Sequence, residues 1–239
     1  MNEGSLLARS EFVARLRALE ARYWDSHPFH RRLHSGELTK QDVQLWAANR
    51  WYYQRCIPLK DAAILAACPA AEIRRAWLAR IVYHDGADTG EGGAQRWLRL
   101  AEAVGLSREE VLDERHLLPG VRFAVDAYVT FARTRPWLES VAAGLTELFA
   151  PGLMRQRVAA MRQHYPWIAE DGLDYFTSRI EVTPAEGSAT LDLVVEHART
   201  REQQLACVAA LAFKCDVLWA ILDALDYVTL DRATLAGSP

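Results

Sequence analysis

TREQQLACVAALAFKCDVLWAILDAL, residues 200–225, decides the fold class. Thr200 and Gln203 stand three apart, the spacing of a helix capping box, in which each side chain accepts a hydrogen bond from the other residue's backbone N–H. Behind them Leu211, Cys215, Leu218, Leu222 and Leu225 recur at alternating steps of four and three, the apolar side of one long helix. Lys214 lies inside this run, next to Phe213 and Cys215. It is either a snorkelling lysine or a buried cation waiting for an anion.

The same pattern continues toward the N-terminus. Phe12, Leu16, Leu19 and Tyr23 form the stripe of a first helix that stops before Pro28. Thr39-Lys40-Gln41-Asp42 caps a second helix, with Val43, Trp46 and Ala47 toward the core and Pro58 expected to kink or restart it. Gly105 stops a helix over 94–104, and Ser107-Arg108-Glu109-Glu110 caps a short one. Pro119 opens another, with Val121, Val125, Tyr128 and Ala132 on one stripe, and Pro136 begins the next. The stretch 183–188, TPAEGS, reads as a helix–helix turn too short to separate domains. No period-2 strand competes, and neither leucine heptads nor a repeat period emerges. The expected fold is all-α, a compact helical bundle forming one domain over 1–239, with 229–239 a frayed C-terminal tail.

Composition narrows the function classes. The 28 basic against 31 acidic residues give a net charge of -3, so nothing sequence-wide points to nucleic acid. By this reading no apolar run approaches the length of a membrane span, and residues 1–12 lack the basic start and apolar middle of a signal peptide, which predicts a cytoplasmic protein. Cys56, Cys68, Cys207 and Cys215 show no CxxC spacing and read as buried small hydrophobes without a disulfide.

The chemistry concentrates elsewhere. In WLARIVYHDGADTGEGG, residues 77–93, Arg80 and His84 are four apart, about 40° around a helix, so both face one way. The Asp85-Gly86 and Gly90 to Gly93 signals place His84 in the final turn, where the helix C-terminus favours a protonated imidazole by up to about 1 kcal/mol. In NRWYYQRCIPLKDAA, Arg50, Tyr53 and Gln54 share a face, and Lys60 follows Pro58. Tyr175 and Arg179 repeat the spacing of four, Tyr128 is core or pocket, and Glu147 sits among leucines with Arg157 as a candidate partner. His27, His30 and His34 invite a metal or haem reading, but no carboxylate or cysteine keeps ligand spacing with them, and a polar turn is the simpler account. If Arg50, Gln54, Lys60, Arg80, His84, Arg157, Arg179 and Lys214 converge with Tyr53, Tyr128 and Tyr175, they make a cationic cavity. Its natural ligand is a small, planar polycarboxylate.

These segments also carry a resemblance. HPFH at 27–30, NRWYYQ at 49–54, IPLKDAA at 57–63, HDG at 84–86, LPGVRFAVDAY at 118–128, GLTELF at 144–149 and FKCDVLWAILDAL at 213–225 resemble the pyrroloquinoline-quinone synthase family over nearly the whole chain. The resemblance implies a heme-oxygenase-like bundle of the TenA/PqqC type, usually a homodimer. It implies the last step of pyrroloquinoline quinone (PQQ) synthesis: ring closure of the bicyclic precursor AHQQ and its oxidation by molecular oxygen, with release of hydrogen peroxide and no metal or organic cofactor. Matched by position, Arg50, Gln54, Lys60, Arg80, Arg157 and Lys214 look like ligand contacts, with Tyr53, Tyr128 and Glu147 beside them. His84 looks like the proton-transfer residue, and Tyr175 and Arg179 like the oxygen-side pair. Trp24 and Met154 stand where family members often have histidines, 181–190 departs from the common pattern, and the small carrier-like domain fused to some relatives is not in this sequence. Two other readings compete: a metal-dependent or thiaminase-like oxygenase-superfamily enzyme, with Cys207 or Cys215 as the nucleophile candidates, and a non-catalytic quinone-binding protein.

Overall fold

The capping box at Thr200 is formed in the computed structural model: Gln203 N–H donates to Thr200 Oγ1 and Thr200 N–H to Gln203 Oε1, each at 3.1 Å. The structure describes residues 5–87 and 90–236, with 181–186 and 232–236 described in backbone alone. The helix opened by the box spans Arg201–Ala236, and Cys207, Leu211, Cys215, Leu218, Leu222 and Leu225 are buried along it. By length and composition it could cross a membrane, with a mean hydropathy of 2.0 in its most apolar window, contrary to the expectation that no run approaches a span. Half of that window is buried inside the protein and Lys214 is embedded in the helix, which is how the core helix of a packed bundle reads.

Before it come α1 (Arg9–Ala18), α2 (Pro28–Ser35), α3 (Lys40–Ala67), α4 (Ala71–Asp85), α5 (Gly93–Ala103), α6 (Arg108–Leu112), α7 (Pro119–Thr134), α8 (Trp137–Ala143), α9 (Ala150–His164) and α10 (Asp174–His197); the last helix is α11. Among the described residues the only extended pairing is an isolated bridge between Ala87 and Gly90, so the fold is all-α. α3 packs along α7, α4 and α5; α11 packs along α7 and α8; α10 packs along α9. Trp46, Trp97 and Phe176 close the centre, with the Trp46 and Trp97 rings edge-on at 5.3 Å and the Trp97 indole N–H on the Ala47 carbonyl at 3.0 Å. Asn49, fully buried, donates to the Leu45 and His116 carbonyls and accepts from Leu118 N–H, tying the approach to α7 onto α3.

Four local expectations are corrected. α1 ends at Ala18, and 3-10 turns at Leu19–Arg22 and Trp24–Ser26 carry the chain on, burying Tyr23 and Trp24. Of the two outcomes expected at Pro58 a restart does not occur: α3 is one helix of 28 residues through it, and the ring leaves the Gln54 carbonyl without its helical donor. The stretch 183–188 is not a turn, because α10 passes through it. Tertiary packing overrides the local signals there: Gly187 lies so close to the 3-10 turn Gly144–Leu148 that a Cβ would come within 3.2 Å of the Leu148 nitrogen, and Leu191 and Val194 are buried beyond it. The tail expected from 229 is helical to Ala236. Thr229 is buried, and its hydroxyl accepts from Arg32 at 2.7 Å while Arg32 also pairs with Asp226.

Candidate active site

The stripe on α3 that begins with Arg50 continues through Gln54 and Ile57 to Asp61, at steps of four, three and four. Its register is set by the Thr39 cap, where Asp42 N–H donates to Thr39 Oγ1 and Thr39 N–H to Asp42 Oδ2. α4 brings Arg80, Tyr83 and His84 to its final turn and stops at Gly86, whose φ of 92° is the left-handed region. The loop then folds back so tightly that a Cβ at Gly92 would fall 2.3 Å from the His84 carbonyl oxygen. One cavity receives Arg50, Tyr53, Lys60, Arg80, His84, Tyr128, Glu147, Tyr175, Arg179 and Lys214 from these and the facing elements, along with Trp24 and Met154.

The cations on its wall are held in two ways. Arg80 makes a fork onto Glu147, at 2.7 and 2.6 Å, and donates to Thr190 at 2.8 Å; Arg179 approaches the same carboxylate at 3.8 Å. Burial alone would raise Glu147, yet Arg80, Arg179 and Lys60 bring it down to about 2. Opposite, Arg50 lies over the rings of Trp24 at 4.4 Å and Tyr53 at 4.1 Å. Lys214 stands 3.5 Å from the centre of the Tyr128 ring and donates to the Tyr53 hydroxyl at 2.8 Å. Among the described residues no carboxylate lies in ion-pair range of either. Burial, with Arg50 and Lys60 nearby, pushes the Lys214 ammonium well below the usual lysine range, and burial raises both Tyr53 and Tyr128. Lys60 pairs with Asp61 at 2.5 Å.

Two candidates stand behind the wall rather than on it. Gln54 is fully buried and its amide grips the Tyr175 hydroxyl, with Oε1 and Nε2 at 3.1 and 2.9 Å. Arg157 is not the partner of Glu147: it donates to His30 Nε2 at 2.8 Å and lies over Trp46 and Phe176. That contact, with His30 Nδ1 on the Trp24 carbonyl at 2.8 Å, keeps His30 neutral, and burial and Arg157 hold its pKa well below the ordinary histidine value. His27 caps α2 and pairs with Asp223, and His30 and His34 lie within that helix, so the stretch expected as a polar turn is instead a structural helix with His27 and His30 buried. Among the described residues no three His, Cys, Asp or Glu side chains group as a metal site.

His84 corrects the expectation of a cationic imidazole. It does occupy the last turn of α4, but it is buried, and desolvation followed by Arg179 and Lys60 lowers it to about 3. The helix-end effect of up to about 1 kcal/mol is too small to offset that. Residues the sequence reading passed over also face the cavity: Tyr23, Ile57, Asp61, Tyr83 and Thr146. The signal for Asp61 was present, since it continues the Arg50–Gln54–Ile57 stripe.

Residues 13–224 match the model of the TENA/THI-4/PQQC family. The chain is 51% identical to a protein named pyrroloquinoline-quinone synthase from Cronobacter sakazakii, over 98% of this chain and 93% of that one. It is 53% identical to another of that name from Granulibacter bethesdensis, over 93% and 88%. In backbone it superposes on a domain of unknown function with a heme oxygenase-like fold from Shewanella denitrificans, with a TM-score of 0.79 at 13% identity, covering 98% and 97% of the two chains. The likeness at that identity is one of fold, whereas identity near one half over almost the full length places the sequence itself: the chain belongs to the TENA/THI-4/PQQC family, among its pyrroloquinoline-quinone synthases.

Proposed function

We propose that this chain is a pyrroloquinoline-quinone synthase, an oxidoreductase that closes and oxidises AHQQ to PQQ with molecular oxygen as acceptor and hydrogen peroxide as product. Its relatives' names support the pathway step. One observation carries the chemistry: Arg50 and Lys214 are buried on aromatic rings with no ion-paired acid among the described residues, a charge arrangement that a polycarboxylate completes. Carboxylates of the ligand take Arg50 and Lys214, and the parallel rings of Tyr53 and Tyr128, 6.5 Å apart, border its planar face.

Ligand binding also changes His84. The imidazole is neutral in the free protein and accepts a proton; anions placed beside Arg179 and Lys60 offset the two cations that depress it, so its basicity rises as the substrate arrives. The quinol supplies the electrons, and dioxygen leaves as peroxide. Tyr175, fixed by Gln54, and Arg179, held beside Glu147, stabilise and protonate the reduced oxygen as charge develops. No metal or organic cofactor takes part, and the chain works as a cytoplasmic homodimer.

Metal-free protein mixed with AHQQ is expected to consume oxygen and form PQQ. Turnover lost on chelation and restored by iron refutes the cofactor-free reading, and tight binding of PQQ with no oxygen uptake from AHQQ makes the chain a carrier. Light scattering at working concentration tests the dimer.

A further inference from the structure

We propose that Asp61 marks a subsite for a protonated amine, so that the cavity is built for a polycarboxylate that also carries an ammonium group. The inference deepens the function proposed above. Of the two carboxylates on the wall, Glu147 has both oxygens engaged by Arg80. Asp61 is 1% exposed, and a single oxygen, Oδ1, receives both of its donors, Lys60 at 2.5 Å and the Trp77 indole N–H at 2.8 Å. Oδ2 receives no hydrogen bond from the described residues. A buried carboxylate oxygen without a donor is costly, and Asp61 lines the cavity, so this is the acceptor on its wall that the protein leaves unfilled for a ligand donor.

The placement also sets the sign of the interaction. Asp61 and Arg50 line the same cavity from α3: a ligand carboxylate is attracted to the guanidinium, and a carboxylate brought to Oδ2 is repelled. An ammonium is attracted to the same oxygen and donates to it. The site therefore distinguishes an amino polycarboxylate from an all-anionic molecule of similar shape. AHQQ carries an amine beside its carboxylates, and in PQQ that nitrogen is closed into a ring.

The test is Asp61→Asn, with the affinities of AHQQ and PQQ measured anaerobically by quenching of tryptophan fluorescence. Asparagine keeps an acceptor for Trp77 and removes the charge. AHQQ affinity is expected to fall at least 10-fold while PQQ affinity holds or rises. Parallel loss for both ligands assigns Asp61 a structural role and overturns the proposal, as does no change in either. If the single variant fails to fold, Asp61→Asn combined with Lys60→Met removes the buried pair as a unit, and the ratio of the two affinities remains the readout. Wild-type protein that binds AHQQ without consuming oxygen refutes the proposed activity and leaves this contrast to be decided on binding. Wild-type protein that binds neither ligand overturns both.

Discussion

The two walls of the cavity hold their cations by opposite means. On the α4 and α10 side, Arg80 and Arg179 converge on Glu147 and are fixed whether or not a ligand is present. On the α3 and α11 side, Arg50 and Lys214 rest on Trp24, Tyr53 and Tyr128, whose faces attract a cation but do not neutralise it. The two-bond fork onto Glu147 takes up most of the charge of Arg80 and fixes its place, so the first wall sets geometry. The second keeps its charge for the ligand, at the expense of stability.

The largest effect expected falls on chemistry rather than binding. His84→Asn removes the neutral acceptor on the paired wall and leaves Arg50 and Lys214 untouched. PQQ affinity should stay within a few-fold, while single-turnover oxidation of AHQQ slows by about 100- to 10,000-fold. Unchanged single-turnover kinetics would remove His84 from the proton-transfer role.

Arg80→Met and Lys214→Met then separate the walls by stability. Loss of Arg80 leaves Glu147 buried with only Arg179 at 3.8 Å, a cost of about 3 kcal/mol and a melting temperature lower by roughly 6–12 °C. Loss of Lys214 removes a buried cation that has no carboxylate partner, so melting should hold or rise while PQQ affinity falls about 100-fold. If both variants melt early and bind equally well, the distinction between the walls is wrong.

The same burial makes stability depend on acid. His30, behind the cavity, and His84, on its wall, are both held neutral in the folded chain, with pKa values below the ordinary 6.5. Between pH 6.5 and about 4 the unfolded chain takes up protons that the folded chain does not, so stability is full above 6.5 and declines below it. The decline approaches about 1.4 kcal/mol per pH unit for each histidine. Urea titrations across that range measure it, and His84→Asn should reduce the slope.

What the sequence disclosed follows from periodicity. Caps at Thr39, Ser107 and Thr200 and the stripes behind them are local signals, and the helices follow them. Position on a stripe also placed Arg50, Tyr53, Arg80 and Lys214 on the wall. The misreadings came where a distant neighbour decides: Gly187 against the Leu148 backbone kept α10 continuous, His30 rather than Glu147 took Arg157, and the buried surroundings of His84 overrode its helix end. Charge state is set by what lies across the cavity, and one chain segment does not contain that information.

Met154 sharpens the comparison most finely, because it stands where the family resemblance leads one to expect a histidine and belongs to neither set of cations. It is 6% exposed and faces the cavity with Tyr175 and Arg179. A thioether neither donates nor carries a proton, but it lines an apolar place for oxygen. Tyr175 is fixed by Gln54 and Arg179 stands beside Glu147, so under the proposed function reduced oxygen has a hydroxyl and a guanidinium near it, with His84 as the proton acceptor on the substrate side. An added imidazole then duplicates a supply that exists. Met154→His is expected to change the oxygen-dependent step by no more than about 10-fold, the effect of roughly 1.4 kcal/mol. Oxygen-electrode traces of both proteins with AHQQ decide it: a natural protein that binds the substrate but consumes no oxygen, beside a Met154→His variant that makes PQQ, would show that the paired wall alone does not complete the oxygen chemistry.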